Sequence, residues 1–119
     1  MTGFKHITYT SDNGLITLTL NKPPYNVLDI DMMVEINSAL DRAQKDDSAR
    51  VLLVTGAGEK AFSAGVDVAD HTPDKVDRMI DVFHGIFRRL EAVQLPTIAA
   101  LNGVALGGGC ELPPGCDMI

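Results

Sequence analysis

The sequence predicts an α/β fold in which strands are joined by helices. Three observations carry this prediction: two short strand-like runs at the start of the chain, two long amphipathic helical segments, and a buried strand-like run after each helical segment. Parallel strands need a long crossover connection, which is usually a helix, so this alternation favours a sheet built by crossovers. At 119 residues the chain has room for one domain or part of one.

The first third of the chain predicts a β-hairpin followed by a helix. The runs "FKHITYT" (4–10) and "GLITLTL" (14–20) are joined by "SDNG", which contains the hairpin signal Asn-Gly. After the proline-containing stretch "NKPPYNVLD", a helix is predicted from about Asp29 to about Lys45. Its apolar stripe comprises Met33, Ile36, Leu40 and Ala43.

The remaining elements continue the pattern. The apolar run "RVLLVTG" (50–56) is typical of a strand covered on both faces. A long loop (57–74) precedes a second helix from about Asp74 to about Gln94, and "TIAAL" (97–101) is a short buried strand. A glycine run then leads to another helix start, and the final "CDMI" has the character of a strand start. The predicted apolar stripe of the second helix comprises Val76, Ile80, Phe83, Phe87 and Leu90.

Composition argues against several classes of partner. Sixteen acidic and ten basic residues give a net charge of −6, and no basic cluster exceeds two residues, so nucleic acid is not expected to bind. The N-terminal stretch lacks the regions of a signal peptide, and no apolar run approaches the roughly 20 residues of a membrane span. We therefore expect a cytoplasmic protein without a membrane partner. Cys110 and Cys116 are expected to be reduced thiols.

The stretch "LGGGCEL" (106–112) contains the first candidate site. Glycines let a backbone approach a ligand closely, and the amide of Gly108 at a helix start can bind a developing oxyanion. Glu111 lies three residues later on the same side of a helical turn, where it can act as a general base. Taken alone, however, a glycine triplet is more often a packing device and a lone glutamate is more often a solvated residue.

Other chemistries find less support. Neither glycine-rich stretch has the spacing of a phosphate loop or a dinucleotide fingerprint. His6, His71 and His84 lack metal-ligand spacing, so no metal site is predicted. Ser63 lies outside any G-x-S-x-G motif, which argues against a serine nucleophile. By contrast, "KAFSAGVD" (60–67) has the small residues and open backbone that a second oxyanion donor requires.

Two motifs in order carry a family resemblance. "GEKAFSAGVDV", followed some forty residues later by "PTIAALNGVALGGGCEL…CD", resembles the crotonase superfamily of enoyl-CoA hydratases and isomerases, and "NKPPYNVLDIDMMVEI" resembles its entry to the first helix. The resemblance covers essentially the whole chain. It implies a crotonase-like spiral of ββα units, of which residues 1–119 are the N-terminal part of a single domain, ending before the second catalytic segment.

The resemblance also implies the site residues. The backbone amides of Val66 and Gly108 would hold the oxygen of an acyl-CoA thioester, and Glu111 would match the first of the two catalytic glutamates of the hydratases. Asp67 is expected to structure its loop rather than to catalyse. The implied substrate-binding residues are Ala64, Val66, Asp67, Val68, Ala69 and Gly108.

The function implied for the intact protein is hydration of an α,β-unsaturated acyl-CoA, with a cyclic dienoyl-CoA as a candidate substrate. An enoyl-CoA isomerase, a CoA-thioester hydrolase of the same family and a non-catalytic acyl-CoA-binding fragment are the alternatives. The resemblance implies no separate cofactor, because coenzyme A is part of the substrate, and it implies a homotrimer or a dimer of trimers. Residues 1–119 alone are expected to be inactive. Pro113-Pro114 departs from the family pattern and leaves the orientation of Glu111 open, because proline is tolerated only in the first turn of a helix.

Overall fold

The computed structural model describes residues 3–119, which alternate strands and helices along the chain. The elements are β1 (Ile7–Asp12), β2 (Leu15–Leu20), α1 (Ile30–Gln44), β3 (Val51–Gly56), β4 (Ala61–Ser63), α2 (Val76–Ala92), β5 (Thr97–Ala100), β6 (Val104–Ala105) and α3 (Gly108–Glu111), with 3₁₀ turns at Val68–Asp70 and Pro113–Gly115.

The main sheet has the strand order β1-β2-β3-β5. Strands β1 and β2 form the antiparallel hairpin, and β3 runs parallel to both β2 and β5. The crossover from β2 to β3 contains α1, and the crossover from β3 to β5 contains α2. The predicted α/β fold is therefore confirmed, because each parallel pair is joined through a helix.

Local signals set the hairpin and the first helix as predicted. Asn13 and Gly14 both have positive φ, at 51° and 88°, as a tight hairpin turn requires. The carboxylate of Asp29 caps α1 by accepting a hydrogen bond of 2.8 Å from the backbone N–H of Met32. The four residues of the predicted stripe are all buried: Met33, Ile36, Leu40 and Ala43.

The apolar stripe predicted for α2 is partly wrong. Met79 and Ile86 are buried against the core, whereas Ile80 is 43% exposed. The apolar arc of this helix is wider than one stripe, because one side packs on α1 while the other side faces α3 and the turn that follows it. Phe83 and Phe87 are partly buried at the border between these two sides.

A second, two-stranded sheet lies within and after the segment predicted as a long loop. Strands β4 and β6 pair in parallel, with Ala61 opposite Val104 and Ser63 opposite Ala105. The prediction of a long loop over 57–74 is therefore wrong in two places, since this range contains β4 and a 3₁₀ turn. Strands of two or three residues are too short to show a period of two in the sequence.

The proline pair ends α3 without distorting it. This helix comprises only Gly108–Glu111, and Pro113 and Pro114 occupy the first positions of the 3₁₀ turn that follows. A missing N–H costs little at those positions, because the first donors of a helix have no intrahelical acceptor. Glu111 thus lies in regular helical backbone.

The end of the chain begins to extend the main sheet, as "CDMI" predicted. Met118 forms a parallel bridge with Ile98 on the outer side of β5. The carboxylate of Asp117 accepts a hydrogen bond from the N–H of Thr97, and the Asp117 N–H donates to the Thr97 hydroxyl. Among residues 3–119, no helix combines the length and apolar character needed to cross a membrane.

Candidate active site

A pocket of about 350 Å³ opens between the segment after β4, one side of α2 and the start of α3. It is lined by Ala64, Gly65, Val66, His71, Met79, Ile80, Phe83, Gly107, Gly108 and Glu111. The structure therefore brings together four of the residues predicted from the two motifs: Ala64, Val66, Gly108 and Glu111. A larger depression, of about 580 Å³, lies at the end of α1 and is lined by polar surface side chains, so it lacks the apolar lining typical of ligand sites.

The glycines allow the two motifs to meet backbone to backbone. Gly65 has φ of +107°, and a Cβ atom there would lie 3.0 Å from the carbonyl oxygen of Leu106 and 3.3 Å from the nitrogen of Gly108. A Cβ on Gly109 would collide with the carbonyl of Ser63. Close packing accounts for Gly65 and Gly109.

The backbone amide of Val66 has no hydrogen-bond partner among residues 3–119. Its two neighbours pair with Leu28: the Leu28 N–H donates to the carbonyl of Gly65 at 2.8 Å, and the Asp67 N–H donates to the carbonyl of Leu28 at 2.9 Å. Because successive amides of an extended backbone point to opposite sides, the N–H of Val66 is directed away from Leu28.

The amide of Gly108 is also unpaired within the described part of the chain. The N–H groups of its neighbours are used: Leu106 donates to Ser63, Gly109 to Leu106 and Cys110 to Gly107. Gly108 is the first residue of α3, where an N–H has no intrahelical acceptor. Since α3 is a single turn, its macrodipole is small, and the N–H of Gly108 is itself the donor that α3 presents to the pocket.

Val66 and Gly108 lie side by side in the pocket. A Cβ on Gly108 would lie 3.0 Å from Cγ2 of Val66. Within residues 3–119 both N–H groups are unpaired, so each is available to donate to an acceptor atom of a ligand.

The carboxylate of Glu111 is the acidic group of this pocket. Its side chain is exposed and, within residues 3–119, it accepts no hydrogen bond and forms no ion pair. An unpaired carboxylate is available to take a proton from a ligand or from water. His71, to which the sequence assigned no role, lies on the same pocket; its position gave no signal because it depends on how the turn at 68–70 folds.

The segment that carries Val66 is held by Asn26, a buried residue that sequence analysis missed. Asn26 is fully buried. The hydroxyl of Ser63 donates a hydrogen bond of 2.8 Å to the backbone carbonyl of Asn26 and accepts one of 3.1 Å from the N–H of Gly65. The Asn26 amide nitrogen lies 3.0 to 3.1 Å from the carbonyl oxygens of Ala57, Ala61 and Phe62. These bonds span more than thirty positions in the chain, so no local pattern announces them.

The other three predicted substrate-binding residues lie beside the pocket and do not line it. The Asp67 carboxylate caps the adjacent 3₁₀ turn by accepting a 3.0 Å hydrogen bond from the N–H of Ala69, which supports the structural role expected for Asp67. Val68 is 82% exposed, and Ala69 is exposed as well. Asp67 lines a neighbouring depression of about 370 Å³ between this turn and the start of α1.

Both cysteines are free thiols, as expected. Cys110 is exposed, and burial raises the pKa of the Cys116 thiol despite its hydrogen bond with Thr97. Among the residues that the structure describes, no three His, Cys, Asp or Glu side chains are grouped as metal ligands.

The fold and sequence of the chain are similar to those of enoyl-CoA hydratases. The fold matches the crystal structure of enoyl-CoA hydratase from Bacillus anthracis with a TM-score of 0.89 and 31% identity, over 95% of this chain and 46% of that one. Residues 10–119 match the family model for enoyl-CoA hydratase/isomerase. The chain belongs to the enoyl-CoA hydratase/isomerase family, and the predicted crotonase resemblance is confirmed.

Two curated relatives illustrate the range of the family. The chain is 36% identical to crotonyl-CoA hydratase of Syntrophomonas wolfei, over 96% of its own length and 45% of that protein. It is 35% identical to 1,2-epoxyphenylacetyl-CoA isomerase of Escherichia coli, over 91% of its own length and 44% of that protein. The chain thus spans a little under half the length of these relatives.

Proposed function

We propose that the whole protein is an enoyl-CoA hydratase, whose N-terminal part is the chain described above. The observation that carries this proposal is the pocket that holds the amides of Val66 and Gly108 and the carboxylate of Glu111, all of which are unpaired within residues 3–119. The similarity to a crotonyl-CoA hydratase supports the reaction class. The volume of about 350 Å³ suits the acyl-thioester head of the substrate and not the whole coenzyme.

In this proposal the two amides hold the thioester oxygen. Their hydrogen bonds draw electron density from the conjugated double bond and make C3 electrophilic. Negative charge grows on the thioester oxygen as an enolate forms, so the bonds from Val66 and Gly108 are strongest in the transition state. An apolar side chain is acceptable at Val66, because the backbone supplies the donor.

Glu111 then acts on water. It accepts a proton from a water molecule while the water oxygen bonds to C3, and the enolate collapses as C2 takes up a proton from a second carboxylic acid. Transfer of the proton from Glu111 to that second group returns both to their starting states. The product is the 3-hydroxyacyl-CoA, formed by addition of one water molecule. The second carboxylate that the family resemblance implies lies outside residues 1–119 and would share the water with Glu111.

A double-bond isomerase of the same family is the second candidate. It is favoured by the similarity to an isomerase of Escherichia coli, and it uses the same two amides, because an enolate is also the intermediate when a proton moves between carbon atoms. CoA-thioester hydrolysis, the cyclic dienoyl-CoA substrate, the absence of a separate cofactor, the homotrimer and the cytoplasmic location stay predictions.

The proposal is tested by replacing Glu111 with glutamine in the whole protein. Glu111→Gln keeps the shape of the side chain and removes its basicity, so kcat for crotonyl-CoA should fall at least about 100-fold while the Kd for butyryl-CoA stays near wild type. Glu91→Gln is the matched control, since Glu91 is exposed at the end of α2 and outside the pocket. Product mass separates hydration, which adds one water, from isomerisation, which adds none.

Two results would contradict the proposal. Unchanged turnover in Glu111→Gln would remove this residue from the chemistry. A wild-type protein that binds butyryl-CoA but turns over no enoyl-CoA would favour the non-catalytic binding module.

A further inference from the structure

We infer that Phe83 closes the acyl end of this pocket and restricts the site to short 2-enoyl groups, and that Phe87 and Gly115 hold Phe83 in place. The inference rests on the proposed function, since it names the substrate class of the same site. It also gives the turn at Pro113–Gly115, which the catalytic proposal does not use, a role in specificity.

The ring of Phe83 lies directly against Gly108. A Cβ on Gly108 would lie 3.2 Å from Cε1 and 3.3 Å from Cζ of that ring. If the amide of Gly108 holds the thioester oxygen, the acyl chain starts next to Gly108, because the thioester carbonyl carbon is bonded both to that oxygen and to C2 of the acyl chain. Phe83 is therefore the aromatic side chain that a growing acyl chain meets in the pocket.

The surrounding surface fits an acyl group. Met79 and Ile80, on the preceding turn of α2, line the same pocket. Ile80 is 43% exposed, although its apolar side chain would be expected in the core. Together these apolar side chains offer an acyl group a surface to contact.

The position of Phe83 is fixed from behind by Phe87. The two rings meet edge to face, with centroids 5.1 Å apart and planes at 80°, which is a favoured geometry for an aromatic pair. Phe87 does not line the pocket. It therefore acts through Phe83 and is a positioning residue.

Phe87 in turn packs on Gly115. A Cβ on Gly115 would lie 2.9 Å from Cδ1 and 3.2 Å from Cε1 of Phe87, closer than a side chain tolerates without movement. The two prolines restrict the backbone of the turn that presents Gly115, and Pro113 is buried. The contacts run from Gly115 through Phe87 and Phe83 to Gly108.

The test is the chain-length profile of the whole protein. We would measure kcat/KM for crotonyl-CoA and for the 2-enoyl-CoA thioesters with six, eight and ten carbons. Wild type should prefer crotonyl-CoA over the ten-carbon substrate by at least about tenfold, and Phe83→Ala should raise the ratio of ten-carbon to four-carbon kcat/KM at least about tenfold. Phe83→Leu should raise this ratio less than Phe83→Ala does. The leucine variant tests the same ratio if the alanine variant does not fold.

The positioning residues have their own variants and control. Phe87→Leu and Gly115→Ala should each shift the same ratio at least about threefold, because both free or displace the ring of Phe83. Glu91→Ala is the matched control, since Glu91 is exposed one turn after Phe87 on α2 and lies outside the pocket. A purely structural role for Phe87 and Gly115 would lower stability and leave the ratio unchanged.

The outcomes separate this inference from the proposed function. An unchanged ratio in folded, active Phe83→Ala and Phe83→Leu proteins would overturn the inference and leave the hydratase proposal standing. If wild type hydrates none of the thioesters, the hydratase proposal fails. The inference is then tested by calorimetry, which measures the ratio of the Kd values for butyryl-CoA and decanoyl-CoA. A Kd ratio that Phe83→Ala does not change would then overturn the inference by itself.

Discussion

Gly65 and Gly108 approach each other closely, since a Cβ on Gly65 would lie only 3.3 Å from the nitrogen of Gly108. The contact joins the segment after β4 to the start of α3. Leu28 holds Gly65 from the other side through the 2.8 Å hydrogen bond to its carbonyl. The distance between the two proposed donor amides is therefore set by backbone packing, which leaves little freedom to adjust when a ligand binds.

Gly65→Ala should lower kcat strongly while lowering the free energy of unfolding only modestly. The new methyl group would press on the Leu106 carbonyl and the Gly108 nitrogen, and an alanine at φ of +107° is strained. Displacement of one oxyanion donor should lower kcat for crotonyl-CoA at least about 100-fold. Steady-state kinetics on the whole protein would measure this.

Gly58→Ala is the control for backbone strain. Gly58 also has a positive φ, of +88°, but the atom nearest to a Cβ there would be Cβ of Pro23, and Gly58 lies outside the pocket. This variant should lose stability by about 1 kcal/mol and keep its specific activity. Equal losses of kcat in the two variants would mean that strain alone, and not the position of Gly108, controls turnover.

The sequence predicted the elements whose signals are local. Asn13 and Gly14 set the hairpin turn, and Asp29 with the stripe from Met33 to Ala43 set α1 to within a residue at either end. The side of α2 that faces the core could not be predicted in this way. Its apolar residues face either α1 or the pocket beside α3, and periodicity alone does not reveal which of the two each residue faces. Met79 is buried, for example, whereas the adjacent Ile80 is exposed.

The candidate site was predictable only in part for the same reason. The glycine triplet by itself left packing and ligand binding open. The helix start and the spacing to Glu111 indicated Gly108, whereas Val66 was selected only through the family resemblance. In the structure Gly109 packs on Ser63, whereas the Gly108 amide is unpaired among the described residues and is available to a ligand. Asn26 gave no signal, because its partners lie on a distant part of the chain.

Asn26→Ala should destabilise the protein strongly. It removes the donor that lies within hydrogen-bond distance of three backbone carbonyls, and it places alanine at a positive φ of 49°. Each buried carbonyl left without a partner costs about 1–3 kcal/mol, so the free energy of unfolding should fall by roughly 3 kcal/mol. Urea denaturation would report it.

Asn21→Ala is the comparison for Asn26, since Asn21 is exposed just before the same loop. Its effect should stay within about 0.5 kcal/mol. A similar small effect for Asn26→Ala would mean that the segment carrying Val66 is held by other contacts.

Asp29 should make stability depend on pH in the acidic range. Burial raises the pKa of this carboxyl, but the hydrogen bonds from Lys22 and Met32 and the charge of Lys22 outweigh burial, and the net pKa lies below the ordinary value. A carboxyl with a depressed folded-state pKa stabilises the fold above its unfolded pKa, and this contribution is lost as the pH falls through the folded pKa.

The measurement compares wild type with Asp29→Asn, which keeps an acceptor for the N–H of Met32 but loses the ion pair with Lys22. Wild type should be more stable by about 1 kcal/mol or less near pH 7, and the difference should shrink below about pH 4. Asp47→Asn, at an exposed aspartate, is the control for the loss of one surface carboxylate. A difference that stays constant down to pH 2 would contradict the assignment.

The donor role of Gly108 can be separated from its close packing by a pair of variants. Gly108→Ala and Gly108→Pro both add a Cβ that would lie 3.0 Å from Cγ2 of Val66 and 3.2 Å from Cε1 of Phe83, but only proline removes the N–H. Proline is well accepted at the first position of a helix, so the backbone of α3 should survive in both. The kcat for crotonyl-CoA should therefore be at least about 100-fold lower in the proline variant than in the alanine variant. Equal values would mean that Gly108 is required for space alone, and the thioester oxygen would need another donor beside Val66.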